Sequence, residues 1–372
     1  MSIEDYVSHS PDVKVTIHLC NLPGGTRLKL NQAFHQKISL RIQEKRRAKS
    51  VEKLIGELMI CRQSIYDHIN CQTEFTVNSL RSLLKFMKMP FIVTEKFIMA
   101  LGVRKLVHNP RFPFELHTEA GVRLRSVLLS EAYLPAVPGK SVELKVPELE
   151  IHDMMKNDFL NVVGNYPFET LPYKWARAYV TRFPAILGSI SKLAGVPPGD
   201  KCSVNPFVPK DIMLGEKRLK REYLRWAFAS EGTVKNKEIS LMRCVDATKA
   251  LPANFVDGLA AGEKIPIGRV PKEVLENIRK IPQNLLEGER LLLQDFGIDA
   301  YLGPDCLYKY VTTKRVTTRW TLSIARQYDI WRFGESIGFP LRWKNLALTR
   351  LVSGFKKFGK VRLAASDQSF VD

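Results

Sequence analysis

Paired cysteines are missing from this chain. Its six, Cys20, Cys61, Cys71, Cys202, Cys244 and Cys306, form no C-x-x-C motif and no cluster with histidine at zinc spacing. That excludes a zinc-finger or thioredoxin-like site, and scattered thiols among apolar neighbours fit a reducing, intracellular setting. No stretch approaches the about 18 consecutive apolar residues of a membrane-spanning helix. Met1-Ser2-Ile3-Glu4-Asp5 lacks the charged and apolar regions of a signal peptide. No basic amphipathic helix stands apart from the folded segments, which argues against a membrane-surface role. The patterns G-x-x-x-x-G-K-[ST], G-x-G-x-x-G and H-E-x-x-H are absent. The seven histidines are dispersed, leaving no basis for a Ser/His/Asp or Cys/His site.

What the chain does have is positive charge. Its 57 Lys and Arg against 38 Asp and Glu give a net charge of +19 over 372 residues. An excess of that size points to a polyanionic partner, because neutralising phosphates releases condensed counterions. Apolar residues at 45% and charged residues at 26% are a globular balance. The length allows two or three domains with sizeable cores.

The first 27 residues hold one strand candidate, 13–19, and the turn Pro23-Gly24-Gly25. A helical stretch follows and ends in Lys45-Arg46-Arg47-Ala48-Lys49. Ser50 then opens a helix over 50–58 with Val51, Leu54, Ile55 and Leu58 on one face. After Met59-Ile60-Cys61, residues 62–69 read as a second helix with Ile65 and Ile69 inward. A third, over 79–87, turns Leu80, Leu83, Leu84 and Met87 to one side. Two short helices joined by a three-residue turn and closed by a third form the helix-turn-helix pattern. Its second helix would offer Arg62, Gln63, Ser64 and Tyr66 to DNA. An ordinary small helical bundle would show the same spacing.

Two nine-residue stretches repeat one design: Leu124-Arg125-Ser126-Val127-Leu128-Leu129-Ser130-Glu131-Ala132 and Leu224-Arg225-Trp226-Ala227-Phe228-Ala229-Ser230-Glu231-Gly232. Each is an apolar helix that ends in an acid, and Thr118 is a good N-cap for the first. Desolvating a lone carboxylate is costly, so two such acids suggest paired helices that deliver them to one place, where they would bind divalent metal; helix-end acids paired with Arg or Lys are the alternative. A second repeat follows each helix: Gly195, Pro197 and Lys201 recur as Gly338, Pro340 and Lys344. Alternation at Val142, Leu144 and Val146, with Leu149 and Ile151, predicts a short hairpin. Residues 154–163 and 185–194 read as helices, and 175–181 as a strand. The segment 308–324, with Lys309, Lys314, Arg315 and Arg319 among four threonines, is a basic β-hairpin suited to a phosphate backbone.

These residues resemble the LAGLIDADG family of homing endonucleases. The run from Tyr223 to Val234 is similar to the family's second signature. Leu291 to Ile298, Ile330 to Phe339 and Gly195 to Lys201 resemble further landmarks in order and spacing, so the likeness spans about residues 112–355. It implies an α+β fold of two pseudo-symmetric αββαββα repeats. The signature helices would pair at a pseudo-twofold axis and two curved sheets would form a DNA-binding saddle. The expected domains are a helix-turn-helix domain over 1–108, a first repeat over 109–215 and a second over 216–372. By position, Glu131 and Glu231 would ligate Mg²⁺ or Mn²⁺ and act in catalysis, assisted by Lys174 and Lys309. Arg62, Gln63, Ser64, Tyr66, Lys314, Arg315 and Arg319 would contact double-stranded DNA. Internal symmetry implies a monomer, and the expected location is cytoplasmic and DNA-associated.

The chain departs from the family pattern at several positions. The third motif position, usually small, is Ser126 and Trp226; an indole there would push the helices apart or rotate out of the seam. The sixth, usually Asp, is Leu129 and Ala229. The last glycine is kept as Gly232 but is Ala132 in the first copy, which matters if a positive φ is required. Acids kept in both copies favour a site-specific endonuclease. The drift favours a DNA-binding regulator that does not cut, and a maturase acting on structured RNA is a third reading. The balance tips narrowly to the nuclease.

Overall fold

The computed structural model describes residues 1–355 apart from 59, 72, 175, 236 and 314. Lys314 therefore lies outside the described residues. By packing, the chain divides into two compact units that do not follow chain order. One comprises Lys14–Gly121 and Leu134–Ala194; the other comprises Met1–Val13, Val122–Tyr133 and the chain from Gly195 onward.

In the first unit, the helix Gln32–Ala48 starts on an Asn31 cap whose Oδ1 accepts from the Phe34 N–H at 2.8 Å. Val51–Leu58, Arg62–Ile69 and Val77–Phe86 follow, close to the spans that apolar spacing predicts. Leu54, Leu58, Ile65, Leu80, Leu83 and Leu84 are buried, as a helical stripe facing a common core requires. Ile69 and Met87 are only half-buried. An antiparallel sheet in the order Phe75–Thr76, Arg27–Leu30, Ile98–Gly102, Leu106–His108 completes this part. The expected strand over 13–19 shrinks to Thr16–Ile17, followed by a 3-10 turn at Leu19–Asn21.

The same unit holds a second antiparallel ladder. Val142–Val146 pairs with Tyr179–Phe183, which pairs with Thr170–Pro172. Alternation at 142–146 does mark a strand, but Leu149 and Ile151 begin the helix Leu149–Val162 and form no hairpin. Two apolar residues two apart cannot separate a strand from a helix start. Strand pairing begins at Tyr179, later than position 175, and Ala185–Leu193 is helical as expected.

The second unit is built on a five-stranded antiparallel sheet in the order Gly232–Val234, Ile239–Asp246, Val316–Ile324, Tyr301–Lys309, Lys264–Pro266. Its helices include Lys217–Glu231, Asn284–Asp295, Gln327–Ser336 and Arg342–Ser353. The N-terminal helix Ile3–His9 belongs here as well. Buried Tyr6 donates to the Asn284 carbonyl and accepts from the Val208 N–H, both at 2.8 Å. Gly288 gives that ring room: a Cβ there would lie 2.5 Å from the Tyr6 hydroxyl.

The helix Glu119–Ser130 starts on Thr118, whose Oγ1 accepts from the Gly121 N–H at 3.1 Å. From Val122 it packs beside Lys217–Glu231, and the two form the expected helical seam. Ser126 Oγ donates to the Tyr223 carbonyl across the seam at 2.8 Å, and Arg123 faces Glu222 at 3.4 Å. Trp226 is buried without separating the helices at Ser126. The repeated arginines have structural partners. Arg125, fully buried, forms a fork to Asp211 with two 2.7 Å bonds, and Arg225 bonds Glu222 at 3.0 Å.

Candidate functional site

Both acids follow directly from the seam. Glu231 closes the second helix, and the Glu131 N–H still donates to the Val127 carbonyl at 2.9 Å, so each carboxylate leaves the last turn of its helix. The preceding serines match across the duplication: Ser130 Oγ donates to the Ser126 carbonyl at 3.0 Å and Ser230 Oγ to the Trp226 carbonyl at 2.8 Å. Glu131 and Glu231 line one cavity of about 400 Å³, together with Lys201, Cys202, Arg243 and Arg319. The convergence expected of the duplicated motif is present.

The cavity's charges differ from a bare acid pair. Arg243 rises from the strand Ile239–Asp246 and is 9% exposed. Its Nη1 lies against Glu231 Oε2 as an ion pair without an aligned hydrogen bond. Its Nε and Nη2 fork onto Glu289 at 3.2 and 2.5 Å, and Nη2 also reaches Ser130 Oγ at 3.3 Å. Glu289 is fully buried and accepts from the Tyr223 hydroxyl at 3.4 Å. Burial works against the Arg243 charge, but Glu231 and Glu289 outweigh it and hold the guanidinium protonated. Burial pushes Glu231 up to about 8, against the pull of Arg243, and Glu131 pushes the same way. Burial likewise raises Glu289, which Arg243 draws back down.

Lys201 is the second cation. It begins the short helix Lys201–Val204 and lines the cavity. Burial lowers it to about 8, opposed by Glu231 and Glu131 and reinforced by Arg243. Its counterpart in the repeated Gly-x-Pro-x-x-x-Lys motif behaves differently. Buried Lys344 donates to the Phe228, Ala229 and Gly232 carbonyls at 3.1, 2.5 and 2.6 Å, closing the C-terminal end of the second seam helix.

Gly232 sits beside that cap with φ −75° and ψ 150°, so no left-handed backbone is needed and Ala132 breaks no conformational rule. Space is what Gly232 supplies: a Cβ there would lie 2.4 Å from the Phe228 carbonyl oxygen.

The other expected site residues are dispersed. Lys174 sits on an exposed turn and lines a separate cleft of about 320 Å³ within its own unit. Lys309 does not serve the acids: its ammonium donates to the Val256 and Leu259 carbonyls at 2.7 and 3.0 Å, tying down the helix Ala253–Gly258. Arg315 is paired with Asp200, bonds Ser203 at 3.2 Å and stacks over Tyr310. Arg319 bonds Asp305 at 2.6 Å.

On the helix Arg62–Ile69, Arg62 is 63% exposed and 4.0 Å from Glu52. Gln63 bonds Asp67 at 2.7 Å, Ser64 meets the Cys61 thiol at 3.0 Å, and Tyr66 lies under Arg46. Behind these residues, buried His68 stacks flat on Phe75 at 4.2 Å.

No protein-family model matches the chain, and no curated protein matches it. Among solved structures it is similar to full-length DUF199/WhiA from Thermatoga maritima, at 16% identity and a TM-score of 0.35; the match covers 66% of this chain and 63% of that one. Mesophilic variants of the homing endonuclease I-DmoI match at 12% identity and a TM-score of 0.36, over 63% of this chain and 100% of theirs. The N-terminal LAGLIDADG domain of DUF199/WhiA matches at 16% identity and 0.33, over 63% and 89%. At these values the likeness assigns neither ligand nor activity here. No helix among the described residues is long and apolar enough to cross a membrane.

Arg243 and Glu289 are the site residues that sequence reasoning missed. Each had a signal: an arginine inside the apolar run Ile239 to Val245, and a glutamate inside the leucine-rich helix Asn284–Asp295.

Proposed function

We propose that this chain is a double-stranded DNA-binding protein of the LAGLIDADG type that does not hydrolyse DNA through its acid pair. One observation carries the reading: Glu231, which a two-acid metal site needs, is held by a buried guanidinium that also binds Glu289. An arginine cannot surrender its proton at ordinary pH. Mg²⁺ or Mn²⁺ would have to displace Arg243 from its ion pair with Glu231, beside a second cation at Lys201. These residues do not fit a resident divalent metal.

DNA binding draws its support from charge and layout. The net charge is +19, and the exposed Arg62 stands on the short helix Arg62–Ile69, where it would reach a phosphate. The endonuclease reading keeps one observation, the two seam acids in a single cavity. Selecting duplexes from a randomised pool and then incubating the best binder with protein and Mg²⁺ or Mn²⁺ separates the two. We expect retention without strand scission. Double-strand breaks that vanish in Glu131→Gln and Glu231→Gln would establish the nuclease instead.

A further inference from the structure

Lys344 and Lys201 occupy matching places in a repeated motif, yet only Lys344 is tied down. Three carbonyls accept from its ammonium, whereas among the described residues no side chain or carbonyl lies within hydrogen-bonding or ion-pairing distance of the Lys201 amine. Lys201 lines the 400 Å³ cavity, a volume that admits a single sugar, beside Glu131, Glu231 and Arg319. An amine left without partners in a roomy pocket, next to groups that can move protons, is arranged as a nucleophile. We propose that Lys201 condenses with the ring-opened aldehyde of an abasic site in DNA. This rests on the DNA-binding reading above.

The aldehyde class follows from the partner. In a duplex, the electrophile that an amine can capture without help from metal or cofactor is the sugar of a lost base. With no base to unstack, that nucleotide also costs least to turn out into a pocket. Burial also brings Lys201 down to about 8, so a usable share of the amine is unprotonated near neutrality.

The chemistry balances without an oxidant or reductant. The amine lone pair attacks C1′, and the carbonyl π pair moves to oxygen, which takes up a proton. Loss of water leaves a protonated imine. The Glu131 carboxylate then accepts a C2′ proton. The C3′–O bond breaks, its electron pair departs with the 3′ phosphate, and a C2′=C3′ double bond remains. Water hydrolyses the imine and returns the free amine.

The test uses the full chain, a labelled duplex with one abasic site, and sodium borohydride, which reduces an imine to a stable crosslink. Duplex binding is followed in parallel by fluorescence anisotropy. Wild type is expected to form the crosslink, and both Lys201→Arg, which keeps the charge, and Lys201→Met are expected to lose it. Binding without a crosslink, or a crosslink undiminished in Lys201→Arg, overturns the assignment and leaves DNA binding standing. Failure to bind intact and abasic duplexes alike overturns both.

Discussion

Arg243 decides the character of the acid cavity, because one guanidinium serves two glutamates, Glu231 and Glu289. Removing it leaves Glu231 and Glu289 buried without their main counter-charge. Arg243→Met is therefore expected to lower unfolding free energy by about 3–5 kcal/mol, the range for breaking a buried ion pair from one side. Denaturant melts of wild type and variant read this directly, and a loss below about 1 kcal/mol would show that the pair carries little. Arg243→Lys should recover only part of the loss, since a point charge cannot fork onto Glu289.

His68 gives a second prediction at this scale. Burial, helped by nearby His35, pushes its imidazole down from 6.5 to about 4. The unfolded chain then takes up a proton near 6.5 that the folded one refuses. Stability is full above about 6.5 and falls as pH drops toward 4, by no more than about 3 kcal/mol for this group. Thermal melts across that window should show the decline in wild type and a weaker one in His68→Leu.

The seam helices depend on their ends. Lys344→Met strips three carbonyls of a buried donor and should destabilise by about 1–3 kcal/mol. Gly232→Ala places a methyl against the Phe228 carbonyl of the same turn, where backbone cannot yield cheaply, with an expected cost of about 1–3 kcal/mol. Calorimetry on the two variants checks both values, and an unchanged melting temperature in either would mean that the helix end relaxes freely.

Elements with strong periodicity were legible before folding. The helices Val51–Leu58 and Arg62–Ile69 lie where apolar spacing puts them, and the duplicated Leu-Arg-x-x-x-x-Ser-Glu stretch located both cavity acids. What could not be read was anything set by distant pairing. Arg243 is a strand residue, Glu289 a helix residue, and only the fold brings their charges together. Lys309 looked like a phosphate ligand because its partners, the Val256 and Leu259 carbonyls, lie 53 and 50 residues away in sequence. Lys201 and Lys344 read alike in sequence; three carbonyls tell them apart.

For the whole molecule, the charge of +19 has to act through DNA phosphates if the proposed function holds. Affinity for duplex should fall linearly on a log–log plot against salt, by a slope of about −0.9 per phosphate neutralised. Arg62→Ala should flatten that slope by about one unit if Arg62 holds a phosphate. A slope near zero across a salt titration would place the charge elsewhere.

In the cavity, a protein cation holds Glu231 where a metal would otherwise sit. Titrating Mn²⁺ into the protein bound to its selected duplex, while following free Mn²⁺ by electron paramagnetic resonance, tests this most directly. The expected result is that Mn²⁺ uptake by the complex matches that of the Glu131→Gln/Glu231→Gln variant. Stoichiometric uptake by wild type that the double variant loses would contradict it.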